Sequence, residues 1–164
     1  QSAVIGIGPV PTVGQDKVFP AGADPKSPKA FTMYAEKAPN ARGVRRVLEA
    51  LFGAGNVHGY DAFLRSLGLG SGHSEVGAVI LTGNAPADWT NSDLTTALSG
   101  KFTVLIDTLL NGLTERVDVV IPGATFAEKA GTYENARNLL QAFEQAIPVI
   151  EMAKSEGQIG RAHV

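Results

Sequence analysis

Cysteine is absent from the 164 residues. That removes disulfides, cysteine-ligated zinc, iron–sulfur clusters and thiol catalysis from what this stretch of chain can supply. It also fits a reducing compartment. An excess of either charge is missing too. Fourteen Lys and Arg stand against 16 Asp and Glu, a net charge of −2, so nothing in the balance marks a nucleic-acid partner. No apolar run reaches the ~18 residues that a membrane span needs, so direct membrane insertion is not expected. The first residue is Gln1 rather than Met, and no charged-then-apolar leader opens the chain. Such an opening is expected of a segment of a longer polypeptide. A dinucleotide fingerprint is also lacking: in "GIGPVPTVG", Pro9 and Pro11 forbid the helix that must follow such a loop. His58, His73 and His163 are scattered without i,i+4 pairing, which argues against a histidine metal site. "SGHS" at 71–74 reads as a loop, not as part of a catalytic triad.

What is present is a rhythm of apolar strands and amphipathic helices. Ala3 to Ile7 reads as a short strand, and residues 8–30, rich in Pro and Gly, as a long irregular connection. In "NARGVRRVLEALFG", Asn40 stands at the cap position. Val44, Val47, Leu48, Leu51 and Phe52 form one stripe, and Gly53 ends the helix. "YDAFLRSLG" predicts a shorter helix with Phe63, Leu64 and Leu67 inward. The run "VGAVILTGN" reads as a buried strand. "NSDLTTALSG" follows as a helix capped by Asn91 or Ser92, and "KFTVLID" is a second strand ending at Asp107. A short helical "TLLNGLTE" leads to the strand "VDVVIP". A helix from about Asn135 to Ala146, with Ala136, Leu139, Leu140, Phe143 and Ile147 on one face, closes the unit. Continuous apolar strands alternating with helices predict an α/β fold, a mainly parallel sheet with helices on both faces. The expected organisation is one domain over 1–150 and a polar tail over 151–164, helical at first and then loose.

Polar residues follow each strand: Thr82, Gly83 and Asn84; Asp107 and Thr108; Pro122, Gly123 and Thr125. In open α/β sheets ligands bind at that carboxyl edge. Two readings stay open for "GNAPADW". Its N–H groups and Asn84 face a nucleotide, or Asn84 bonds its own backbone in a strand-to-helix turn. Asp107 either accepts from a ribose or guanine edge or caps the segment after it. Glu128 and Lys129 are either an exposed pair or an anchor for the loop at the sheet edge. Trp89 reads as a packing anchor, and Arg45 and Arg46 as the solvated face of a helix.

The ordered set "AVILTGNAPADW", "FTVLIDTLLNGLTERVDVVIPGATFAEKAGTYENARNLLQ", "GPVPTVGQDKVFP" and "FTMYAEKAPNARGVRRVL" resembles the molybdopterin oxidoreductase family. In particular it looks like the large iron–sulfur subunit of NADH-quinone oxidoreductase, respiratory complex I. The resemblance runs from about Gly8 to Gln141. It implies a Rossmann-like domain from the distal half of a longer subunit, and none of that subunit's cluster-binding cysteines falls in this segment. In molybdenum-dependent members the domain helps hold a molybdopterin guanine dinucleotide. In complex I relatives the pterin role has generally been lost and the fold persists as a scaffold. The cofactor-facing positions it implies are Gly83, Asn84, Asp107, Thr125, Gly131, Thr132, Asn135 and Gln141. The partners it implies are other domains of the same subunit and sibling respiratory-complex subunits. The location it implies is cytoplasmic, peripheral to the inner face of a bacterial membrane.

The chain departs from the family pattern G-T-[FY]-x-N-x-E-G-R-x-Q, because Arg137, Asn138 and Leu139 stand at the E-G-R positions. Leucine cannot grip a phosphate as arginine does. With the glycine gone, residues 135–146 are expected to coil straight into a packed helix that fills the crevice. "GNAP" also carries an extra Ala85. Together these predict a non-catalytic structural domain with a vestigial site, no cofactor and no metal of its own. Two alternatives remain: the cofactor-holding domain of an active molybdenum enzyme, or a stand-alone nucleotide-binding module.

Overall fold

A computed structural model describes residues 3–38, 40–84 and 88–161. The expected turn residues Ala85 and Pro86 lie outside the described residues, as does the end of the tail. The chain runs β1 (Ile5–Gly6), β2 (Lys17–Phe19), β3 (Phe31–Met33), α1 (Ala41–Phe52), β4 (Val57–His58) and α2 (Tyr60–Ser66). It continues with β5 (Ala78–Thr82), α3 (Ser92–Leu98), β6 (Phe102–Asp107), β7 (Val119–Pro122), β8 (Gly131–Glu134), β9 (Leu140–Phe143) and α4 (Glu156–Arg161). The expected α/β class holds. β5, β6 and β7 form a parallel sheet in that order, and β1 pairs in parallel with β4. β2 pairs antiparallel with β3 inside and after the Pro-rich connection.

The core lies on one face of the three-stranded sheet. Val79 and Leu81 of β5 and Leu105 of β6 meet Leu64 of α2, Leu67 just after it, and Leu94, Ala97 and Leu98 of α3. On the other face Ile80 is 69% and Phe102 54% exposed. α3 starts as its sequence dictates: Asn91 Oδ1 accepts from Leu94 N at 2.9 Å. It stops before Gly100, whose φ of +73° suits a residue without a Cβ. The stripe on α1 is less buried than expected, with Leu51 70% exposed. Asn40 precedes α1 but does not cap it with its side chain. Its Oδ1 instead accepts from Glu134 N at 2.8 Å, fastening α1 to β8.

Three expectations need correction. Residues 108–118 form turns, not a helix. Asn111 Oδ1 accepts from Leu113 N and Thr114 Oγ1 accepts from Asn111 N, both at 2.9 Å, so local side-chain bonds compete with helical ones. The helix expected over 135–146 is instead the β8–β9 hairpin. Asn135 Oδ1 takes the N–H groups of Arg137 and Leu139 at 2.8 and 3.1 Å. Asn138 turns the chain with φ of +60°, a conformation asparagine tolerates. The Tyr133 and Phe143 rings stack at 4.7 Å, and Phe143 lies where a Gly131 Cβ would sit, at 2.7 Å. Replacement of the family glycine by Asn138 therefore keeps the turn, and no helix fills a crevice here. The tail's helix comes after a turn rather than first, over Glu156–Arg161. Ala124 N donates to Lys154 O at 2.8 Å, and Lys154 N to Pro122 O at 3.2 Å, docking the start of the tail beside β7.

Candidate functional site

The carboxyl ends of β5, β6 and β7 share one edge because the strands are parallel and in register: Thr82 lies opposite Ile106, and Asp107 opposite Pro122. Asp107 is the centre of this edge and only 8% exposed. Its Oδ1 accepts from Asn84 N at 2.8 Å and Thr108 N at 2.7 Å. Its Oδ2 accepts from Trp89 Nε1 and Asn111 Nδ2, both at 2.8 Å. Gly83 is required here, since a Cβ on it would run into the Asp107 carboxylate. Asn84 holds a φ of +90° and delivers its N–H to that carboxylate. Trp89 is the expected packing anchor, set against the core, but its indole N–H also belongs to the Asp107 cluster. Asn111 was not singled out from sequence; its signal is an amide four residues after a strand-ending Asp.

Thr125 follows β7 on the same edge. Its N–H and its Oγ1 both donate to Glu128 Oε2 at 2.8 Å. Glu128 Oε1 takes Ile150 N at 2.9 Å. Glu128 is thus the loop anchor of the two readings, and it does not pair with Lys129. Lys129 Nζ reaches Glu156 at 2.8 Å instead.

The other four expected positions sit on the hairpin. Gly131 gives room to Phe143. Thr132 O accepts from Asn40 Nδ2 at 3.4 Å. Asn135 Nδ2 donates to Gln141 Oε1 at 3.1 Å. Asn135 and Gln141 bond each other across β8–β9, and that hairpin packs on α1. The expected site therefore divides into an Asp107 cluster with Gly83 and Asn84, the Thr125–Glu128 loop beside it, and a hairpin group. Arg46 is exposed as the solvated-face reading has it, and its Nη2 also reaches the buried Glu134 at 2.6 Å. Arg45, paired with Glu49 at 3.3 Å across one helical turn, keeps to that reading as well. Among the described residues no group of three or more His, Asp or Glu side chains is arranged to hold a metal. No described helix is long and apolar enough to cross a membrane.

Three carboxylates are held below the ordinary range, and the cause at Asp88 is the Thr90 hydroxyl, then the Thr90 N–H. The cause at Glu128 is the Thr125 N–H, then the Thr125 hydroxyl, then Ile150 N. At Asp118 it is the N–H of Thr103 at 2.7 Å, then the Thr103 hydroxyl at 2.9 Å. A carboxylate depressed in the folded state adds stability above its unfolded pKa of about 4, and that stability is lost as pH falls through the folded value. The denaturant midpoint is expected to stay level from pH 7 to pH 5 and to fall below pH 4. Glu128→Gln should lower the neutral-pH midpoint and flatten that acid limb, read by urea titration at each pH.

No curated protein gave a match. The model of the family described as molybdopterin oxidoreductase matches residues 40–162, well over half of the chain and all of the strands β4 to β9. The chain belongs to the molybdopterin oxidoreductase family.

Proposed function

We propose that this chain is a non-catalytic structural domain of a protein of the large iron–sulfur subunit type of NADH-quinone oxidoreductase, with a vestigial pterin-dinucleotide site. One observation carries the reading: the donor set on Asp107. An ionised carboxylate offers about four acceptor directions. Four donors from the chain itself, Asn84 N, Thr108 N, Trp89 Nε1 and Asn111 Nδ2, fill them. A guanine or ribose edge would have to displace buried protein bonds to reach it. The residues at this edge therefore do not fit the dinucleotide, and no chemistry is routed through one. Leu139, where the family pattern has arginine, removes a bidentate anion grip as well. Exposed apolar side chains on α1 and on the outer sheet face, Leu51, Ile80 and Phe102 among them, support work by packing against sibling domains and subunits. In this reading the parent assembly is a respiratory complex lying against the inner face of a bacterial membrane.

A second reading, the cofactor-holding domain of an active molybdopterin guanine dinucleotide oxidoreductase, is favoured by the surviving turn at Asn138. The two separate cleanly. The parent subunit, isolated in its assembled form, is expected to release no pterin on oxidative denaturation, read by fluorescence, and to contain no molybdenum by elemental analysis. Stoichiometric pterin would overturn the proposal and establish the second reading.

A further inference from the structure

Two parallel edges face a common slot. β1 pairs only with β4, and β5 only with β6, among the described strands. Phe102 N donates to Gly77 O at 3.0 Å, and Gly83 N to Ile106 O at 2.8 Å. In a parallel ladder alternate residues turn to a given neighbour. Gly77, Val79, Leu81 and Gly83 thus serve β6, and the N–H and C=O groups of Ala78, Ile80 and Thr82 point the other way. On β1, Ile7 N donates to His58 O at 3.0 Å, so Ile5 and Ile7 serve β4 and Gly6 points away from it. Both free rows border the same cavity, of about 470 Å³.

The cavity is built for more than water. Among the described residues no charged side chain lines it; α1 contributes Val44 and Leu48, and α2 contributes Phe63. α2 holds the slot open. It packs on β1, where the Phe63 ring fills the place of a Gly6 Cβ. Its next residue, Leu64, and Leu67 just after the helix share the core cluster with Val79 and Leu81 of β5. Strand spacing of about 4.8 Å, layer spacing of about 10 Å and a rise of about 3.3 Å give roughly 160 Å³ per strand residue. The cavity therefore takes about three residues of extended chain, opposite part of the five-residue row from Ala78 to Thr82. N–H and C=O groups on both walls that no described residue pairs call for a ligand that bonds on both of its edges, and an extended backbone does so.

We propose that this slot receives a short, extended, uncharged strand from a partner polypeptide, joining β4–β1 and β5–β6–β7 into one sheet. The test is residue-resolved amide exchange on the chain, with a capped six-residue peptide of alternating threonine and valine as probe. Without peptide, Ala78, Ile80 and Thr82 are expected to exchange at least tenfold faster than Val79 and Leu81. Millimolar peptide should slow Gly6, Ala78, Ile80 and Thr82 at least tenfold and leave Val79 and Leu81 unchanged. The same peptide N-methylated at alternate residues should have no effect. Ile80→Pro removes only an N–H that faces the slot and should abolish the protection, and Ile80→Ala should keep it. If the proline variant does not fold, the N-methylated peptide decides alone. Equal protection of Ala78, Ile80 and Val79 in the peptide-free monomer overturns the proposal, and so does exchange that peptide leaves unchanged. Protection that rises with protein concentration, together with a dimer mass in sedimentation, assigns the slot to a second copy and overturns the partner strand.

Discussion

Replacing Asp107 with alanine is expected to cost about 4 kcal/mol, because the Trp89 indole and the Asn111 amide, with the N–H groups of Asn84 and Thr108, lose one buried acceptor together. For a domain of this size that lowers Tm by about 8–16 °C. Asp107→Asn keeps the shape but turns one acceptor into a donor that faces donors, and should cost about 2–3 kcal/mol. Trp89→Phe removes the indole donor alone and should cost about 1 kcal/mol. Because Trp89 and Asp107 share a bond, the double variant Trp89→Phe with Asp107→Asn should be less destabilised than the sum, by at least about 0.5 kcal/mol. Urea unfolding of the four proteins measures this coupling. The same series separates a structural carboxylate from one held for a ligand. A carboxylate kept free for guanine would leave Asp107→Asn within about 0.5 kcal/mol of the parent, as ordinary substitutions without internal partners do.

This carboxylate shows where sequence reading succeeds and where it stops. Its place at the end of a strand on the carboxyl edge followed from "KFTVLID" alone, because an unbroken apolar run of that length fits a buried parallel strand. Whether its acceptor directions were free did not follow, since Trp89 and Asn111 become partners only when the chain after β5 and the turn after β6 fold onto the same edge. The hairpin fails for a related reason. Leu139, Leu140 and Phe143 satisfy a helical period, and nothing local forbids the helix. What decides against it is partly long-range: Asn40 Oδ1 on Glu134 N, and Arg42 Nη1 on Ala136 O and Asn138 Oδ1 at 3.2 and 3.3 Å. Tertiary bonds over more than ninety residues of separation outweigh a weak local propensity. α3 was legible by contrast, because its cap and its stop lie within its own ten residues, Asn91 to Gly100.

The same long-range fastening sets the second large effect. Glu134 has a side chain only 2% exposed, and Arg46 Nη2 meets its Oε1 at 2.6 Å, while its Oε2 is buried without a partner among the described residues. Arg46→Ala leaves that carboxylate without its cation and should cost about 3 kcal/mol, or about 6–12 °C in Tm. The size is at the lower end for a buried pair because the arginine side chain is 57% exposed and already partly hydrated. Arg46→Met combined with Glu134→Met should recover most of the loss, ending within about 1 kcal/mol of the parent or above it, since it removes both the buried charge and the orphan oxygen. The Asn40 bond survives in the double variant because it uses the Glu134 backbone N–H. Thermal unfolding of the single and double variants reads both effects. A loss under about 0.5 kcal/mol for Arg46→Ala would mean that Glu134 does not depend on this guanidinium, and the ion pair would then play no part in holding the hairpin on α1.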